Sequence, residues 1–301
     1  MLLYPMSLIV LCIISNTILY IFRDNYYYFI ILCICSILKL ITIKPILKTI
    51  EKFITTVFKK EIDCIKHNIR ESFVVEGNLT NDKQAIYIIH PHGMCSLSHV
   101  FHIATNITNW PYKNIKGVMH FMLEYVPFFL DLIDEKYTVD STYTSMKSNL
   151  IKGESMSMCL GNFTEGKYTD EHRITAIVKN RIGIFKMAIE TGVPIIPILS
   201  YGEQSKFKQF NTYGILEYLS TIFGIQFNCP DFWSIYDWIE IYRSPLKDKI
   251  YTHIGQPIDV GKARKPSFKE IIDLRDKYID ALRALYKETK PKDYEDDIII
   301  I

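Results

Sequence analysis

Apolar and polar residues alternate in three different ways along this chain. Over residues 1–45 the apolar positions run nearly unbroken, and from about residue 72 short apolar runs alternate with amphipathic stretches. Between residues 207 and 242 aromatic side chains take over. In the middle regime, Phe73–Val75, Ala85–Ile89, Gly117–Met119, Tyr137–Val139, Met156–Leu160, Pro194–Leu199 and Tyr251–Ile254 read as short strands. Helices are expected over Leu97–Thr105, Phe121–Ile133, Ser141–Lys152 and Arg181–Thr191. A long amphipathic helix over Ser267–Lys287 carries Ile271, Leu274, Tyr278, Leu282 and Leu285 at helical spacing. Ser267 with Glu270 makes a capping box at its start, just after Pro266. Such alternation predicts one α/β domain, residues 46–301, with a mostly parallel sheet flanked by helices.

The first regime predicts a membrane hairpin. Met1–Phe22 carries no charge, and Arg23-Asp24-Asn25 and three tyrosines (Tyr26, Tyr27, Tyr28) separate it from the run Phe29–Leu38. With its flanks the second run reaches Ile43, so both approach the roughly 20 residues that cross a hydrocarbon core. Lys39, Lys44, Lys48, Lys52, Lys59 and Lys60 follow, an excess that belongs on the cytoplasmic side. Residues 1–45 are therefore expected to form a transmembrane or re-entrant hairpin, with everything downstream facing the cytosol. A cleaved signal peptide would want its positive charge ahead of the apolar run, whereas the first basic residue is Arg23. The aromatic segment 207–242 reads either as a core insertion or as a platform dipping into the headgroup region.

Composition narrows the classes further. A net charge of +2 over 301 residues gives no reason to expect nucleic acid. The seven cysteines are scattered without zinc spacing, which suits a reduced compartment and no disulfide framework. The sequence has no internal repeat, GxGxxG, P-loop or GxSxG.

Candidate chemistry sits at strand ends. Ala85–Ile89 leads directly into His90-Pro91-His92-Gly93, which places imidazoles at the edge of a sheet, where open α/β proteins bind their ligands. Imidazole titrates near neutrality and suits proton abstraction from an alcohol. On an extended backbone, residues two apart point the same way, so both rings are expected on one face. Met156–Leu160 leads likewise into Gly161-Asn162-Phe163-Thr164-Glu165-Gly166-Lys167. There Glu165 is placed to accept an imidazole N–H and fix its tautomer. Lys167, Lys179 and Arg181 make a local basic cluster suited to phosphates, and Arg181 opens a helix beside amide donors. Gly183 and Ala188 are expected to allow close packing of that helix on the sheet. His-x-His is also a metal-ligand pair, and His99 and His102 follow, but no carboxylate or cysteine is spaced to complete a site.

Together these pieces resemble the type-2 diacylglycerol acyltransferase family, which includes monoacylglycerol and wax-alcohol acyltransferases. His90-Pro91-His92-Gly93 matches its HPHG signature. Arg181-x-Gly183 through Ala188, Gly192, Pro197 and Ser200-Tyr201-Gly202-Glu203 match its second block. Ile254-Gly255-Gln256-Pro257-Ile258 and Tyr278-x3-Leu282-x2-Leu285-Tyr286-x3-Lys290 match its closing segments. Gly161-Asn162 stands where the family has a glycine pair. Phe163-Thr164-Glu165-Gly166-Lys167 also looks like a block of glycerophosphate-type acyltransferases. Their His-x4-Asp is absent, because Cys95 and Leu97 occupy the fifth position after each histidine.

The resemblance implies a glycerophosphate-acyltransferase-like fold and acyl transfer from acyl-CoA to the hydroxyl of a neutral lipid. Diacylglycerol is the first acceptor, followed by monoacylglycerol or a fatty alcohol, then a lysophospholipid; a non-catalytic membrane or lipid-droplet protein is the remaining alternative. His92 is the expected base, oriented by Glu165, with His90 supporting or sharing its role. Gly93, Lys167, Arg181, Gly183 and Glu203 are the expected substrate-binding residues. No metal or redox cofactor is expected, acyl-CoA being a co-substrate. The implied setting is the endoplasmic reticulum or an equivalent internal membrane, or lipid droplets, with self-association left open.

Overall fold

The run Ala85–Ile89 does what its composition demands: it becomes the centre of a sheet. In the computed structural model, which describes residues 59–77, 84–93, 96–100, 115–119, 138–168, 170–206 and 244–301, every residue of the strand Ile86–His90 is buried. The expected membrane hairpin, the helix Phe121–Ile133, the end of the helix Leu97–Thr105 and the aromatic segment 207–242 lie outside those residues.

All seven expected strands form, with no end shifted by more than two residues. They are β1 (Phe73–Glu76), β2 (Ile86–His90), β3 (Ile115–Met119), β4 (Thr138–Asp140), β5 (Ser155–Met158), β7 (Ile195–Tyr201) and β8 (Ile250–Ile254). Their order in the sheet is β1-β8-β7-β2-β5-β3-β4. Every neighbouring pair is parallel except β7 and β8, which run antiparallel. Two further strands, β6 (Thr175–Ala176) and β9 (Ile299–Ile300), pair in parallel as a separate ladder. At two residues each they are too short to leave a periodic signal in the sequence.

The described residues also form the helices α1 (Lys59–Ser72), α2 (Leu97–His99), α3 (Tyr143–Ile151), α4 (Ile182–Thr191), α5 (Glu203–Lys206) and α6 (Phe268–Thr289). Strand alternation sorts the core into two clusters. Ile86 and Ile88 of β2 join Leu199 and Tyr201 of β7 with Phe185 and Ala188 of α4 and Tyr278 and Leu282 of α6. Tyr87 and Ile89 instead join Ile196 and Ile198 in the second cluster. The first cluster runs from the sheet to α3, α4 and α6 and contains most of the buried apolar side chains.

Local chemistry sets the helix ends. Gly192, at φ +70°, terminates α4 in the left-handed region that a side chain resists, its N–H bonding the Ala188 carbonyl. At the start of α6, Ser267 Oγ accepts from the Glu270 N–H while the Glu270 carboxylate accepts from the Ser267 N–H, completing the expected box. Among the described residues, no helix is long and apolar enough to cross a membrane.

Replacing Ser267 by Ala removes one of these reciprocal bonds and is expected to cost about 1 kcal/mol. Thermal melting of the purified variant checks this; a stability equal to wild type would show that the box is dispensable.

Candidate active site

Three neighbouring parallel strands, β7, β2 and β5, bring their carboxyl ends together in the middle of the sheet. The residues that follow them supply His90 and His92, Glu165, and Glu203. Sheet order rather than sequence proximity therefore assembles the site, at the edge where α/β proteins bind ligands.

His90 is the last residue of β2 and continues the alternation of Ile86 and Ile88, so its ring lies on the side of the sheet covered by α6. It is fully buried, with Nδ1 3.2 Å from Glu165 Oε1 and Nε2 3.1 Å from the Tyr278 hydroxyl. A carboxylate only accepts, so the proton belongs on Nδ1; Nε2 then accepts from Tyr278. Burial pushes the Tyr278 phenol well above its usual range, which keeps it a donor.

Glu165 lies in the 3₁₀ turn Asn162–Tyr168, just beyond β5, and is 2% exposed. Its Oε1 accepts from Ile177 N–H at 2.8 Å as well as from His90, and its Oε2 accepts from the backbone N–H of His92 at 2.6 Å. The expectation that Glu165 orients the His92 ring is thus corrected: the carboxylate holds the ring of His90 and only the main chain of His92. The reason is geometric. The strand ends at His90, so the two histidines are not consecutive same-face residues of one strand.

The His92 ring is fixed differently. Its Nδ1 lies 2.9 Å from the Gly93 carbonyl, so Nδ1–H donates there and Nε2 is the basic nitrogen. Burial lowers the His92 pKa, against the opposing pull of the Gly93 carbonyl and the Glu165 charge, so the ring is neutral at pH 7. His92 is 8% exposed, against zero for His90.

Beyond Gly93, Ser96 N–H bonds the His92 carbonyl and α2 begins. Glu203, just after β7, receives the other end of this turn: its oxygens accept from Leu97 N–H (2.7 Å), Ser98 N–H (3.1 Å) and Ser98 Oγ (2.9 Å). Ser98 Oγ continues to Ser200, and Ser200 to Thr252. Burial raises the Glu203 carboxyl to about 7 despite these bonds. Expected among the substrate-binding residues, Glu203 has its carboxylate turned to the protein's own backbone. His99 bonds Ser157 and is pushed down to about 4 by burial.

The remaining candidates lie close by in sequence. Lys167 shares the turn of Glu165, two residues on. Arg181 occupies the N-cap position of α4, and its Nε is buried without a hydrogen-bond partner among the described residues. Gly183 does not serve close packing as expected, because a Cβ there would meet no described atom within 4 Å. Ala188 is fully buried. Gly161 is where closeness matters: a Cβ would stand 2.1 Å from the Glu165 carboxyl carbon. No group of three or more His, Cys, Asp or Glu among the described residues is placed to hold a metal ion. Sequence reasoning assigned Tyr278 to the core helix alone, although a hydroxyl on an aliphatic stripe is a signal, because a buried phenol needs a partner.

Residues 69–300, which include every residue of this cluster, match the family model described as diacylglycerol acyltransferase. The chain belongs to that family. Membership makes it an acyltransferase and places the His90–Gly93 turn inside the matched region. The chain is similar to diacylglycerol O-acyltransferase 2 of Dictyostelium discoideum, with 26% identity covering 73% of this chain and 70% of that protein. It is 25% identical to acyl-CoA wax alcohol acyltransferase 2 of Mus musculus, over 71% of this chain and 68% of the other. With 2-acylglycerol O-acyltransferase 1 of Bos taurus the identity is 25%, over 69% and 65%. Among solved structures, the acyltransferase PlsC of Thermotoga maritima overlaps 90% of this chain and 95% of its own at 12% identity and a TM-score of 0.41.

Gly161→Ala is expected to drive the Glu165 carboxylate away from its three donors, lowering turnover about 100-fold while α6 and the sheet stay folded. Acyl-transfer assays beside circular dichroism check it. Normal turnover in a folded variant would mean that Glu165 need not hold the turn.

Proposed function

We propose that this protein transfers a fatty acyl group from acyl-CoA to the hydroxyl of a neutral lipid, with diacylglycerol the first candidate acceptor and triacylglycerol the product. The observation that carries the reading is His92: a nearly buried, neutral imidazole whose Nδ1–H is tied to Gly93, leaving Nε2 as the base, in a chain of the diacylglycerol acyltransferase family.

In the proposed mechanism Nε2 of His92 takes the hydroxyl proton as the alcohol oxygen attacks the thioester carbonyl carbon. The carbonyl oxygen becomes an oxyanion, and a backbone N–H near Gly93 is its proposed donor. As the intermediate collapses, the C–S bond breaks and the imidazolium returns the proton to the departing CoA sulfur. The products are an ester and free CoA. Positioned base catalysis is worth about 10²–10⁴-fold, and one good oxyanion donor about 3–4 kcal/mol. His90 supports the site and does not share the proton transfer, since both of its nitrogens are engaged and it is fully buried.

The phosphates of CoA are assigned to Arg181 and Lys167. The Nε of Arg181, buried without a partner among the described residues, and the space beside Gly183 clear of described atoms at the start of α4 support an anion there. No metal or redox cofactor enters this chemistry. Residues 1–45 are proposed to anchor the chain in the endoplasmic reticulum or an equivalent internal membrane, or on lipid droplets, so that acceptor and acyl chain arrive from the bilayer. Relatives named for wax alcohol and 2-acylglycerol acceptors favour a fatty alcohol or monoacylglycerol as the second reading. A lysophospholipid acceptor fits less well, because no aspartate occupies the fifth position after either histidine.

Labelled acyl-CoA supplied with mono- and diacylglycerol, fatty alcohols and lysophospholipids tests the acceptor. His92→Ala should abolish transfer while leaving a folded, membrane-bound protein; undiminished turnover would remove the mechanism. Glu165→Gln keeps one acceptor oxygen and should impair transfer less. The base works only when unprotonated, so kcat/KM should fall as pH drops through its folded pKa. Burial lowers that pKa, so the midpoint of the acid limb should lie below 6.5. A midpoint above 6.5 would point to another base.

A further inference from the structure

The hydroxyl of Tyr278 stands 188 residues from His90 in the sequence and 3.1 Å from its Nε2 in the fold. Nothing in acyl transfer calls for a tyrosine at this depth, and α6 could fill the same core position with phenylalanine. Phe185 already packs on the Tyr278 ring, with centroids 5.5 Å apart. The hydroxyl must therefore be explained by what it touches.

We infer that Tyr278 is a positioning residue for the reaction, acting through His90 and Glu165 on the turn that carries His92. Glu165 keeps the His90 proton on Nδ1, and the phenol, donating to Nε2, anchors the opposite edge of the ring. Glu165 Oε2 is thereby held against the His92 N–H at 2.6 Å, and Ile177 N–H fixes the same carboxylate from the far side. The chain of contacts is continuous: hydroxyl, imidazole, carboxylate, amide of the proposed base. Three segments remote in sequence, α6, β2 and the turn after β5, meet in it. Removing the hydroxyl leaves the His90 Nε2 lone pair buried without a donor, so the ring loses one of its two anchors and holds Glu165 less firmly. This rests on the reading of His92 as the base.

The test is Tyr278→Phe in the full-length, membrane-bound protein, assayed with labelled acyl-CoA and its best acceptor. Expected are a melting temperature within a few degrees of wild type, a KM for acyl-CoA within about twofold, and a kcat lowered about 10-fold. The acid limb should keep its midpoint, because the base itself is unchanged. Incorporating 3-fluorotyrosine at position 278 restores the donor and should restore kcat; this variant also decides the matter if Phe destabilises the core. A wild-type kcat in Tyr278→Phe overturns the inference. So does a loss of kcat that only tracks a large fall in melting temperature, which would make the hydroxyl a fold-stabilising group and not a positioning one. An active His92→Ala enzyme would overturn instead the functional reading beneath it, so the two failures are told apart.

Discussion

The two oxygens of Glu165 hold the end of β2, the amide of His92 and the amide of Ile177 at once. A carboxylate taken out of water costs several kcal/mol unless hydrogen bonds replace its hydration. Here three donors do so, two of them backbone amides that cannot move without moving the chain. The constraint propagates in both directions. Toward the core it locks His90, and through it Tyr278 on α6. Toward the surface it fixes where the chain leaves β2. Gly161 is part of the same constraint, because the carboxyl group lies where its side chain would be.

Glu203 performs the matching task at the far end of the turn, where the amides of Leu97 and Ser98 would otherwise be unsatisfied at the start of α2. The amide of His92 and those of Leu97 and Ser98 are thus held by residues that follow two different strands, one carboxylate after β5 and the other after β7. Because β5 and β7 flank β2 in the sheet, the clamps approach the turn from opposite sides. A parallel sheet supplies this arrangement naturally, since adjacent strands end at the same edge.

Much of this was legible in the residues. Short apolar runs located all seven strands of the main sheet, most plainly β2 and β7, which are buried on both faces and need a continuous run, and Ser267 with Glu270 located the start of α6. His90, His92 and Glu165 were grouped correctly as neighbours, since each follows an apolar strand that must end at the same sheet edge. That Glu165 accepts from an imidazole was legible, but which ring it meets was not. It depends on where β2 stops: at His90 the rings part, whereas a strand running on to His92 would have aligned them. The parity of Ile86, Ile88 and His90 does place the first histidine under α6, a deduction that needs the sheet order as well as the pattern. Glu203 and Gly183 misled for a related reason. A glutamate in a motif reads as a ligand until the amides it serves are seen, and a glycine reads as a packing contact until the space beside it is seen.

Two histidines two residues apart thus divide one task by depth. His90 has no exposure and two side-chain partners, so its ring is a fixed strut whose nitrogens are committed to Glu165 and Tyr278. His92 has slight exposure, a ring oriented by a backbone carbonyl one residue away, and a main chain gripped by the same carboxylate that grips the strut. The role of base proposed for His92 needs its nitrogen held within hydrogen-bond reach of the proton it would remove, since a small misplacement is costly in rate. A surface turn alone cannot supply that rigidity. Borrowing it from the core requires a polar group that reaches from the buried helix to the turn, and a histidine between a phenol and a carboxylate spans that gap.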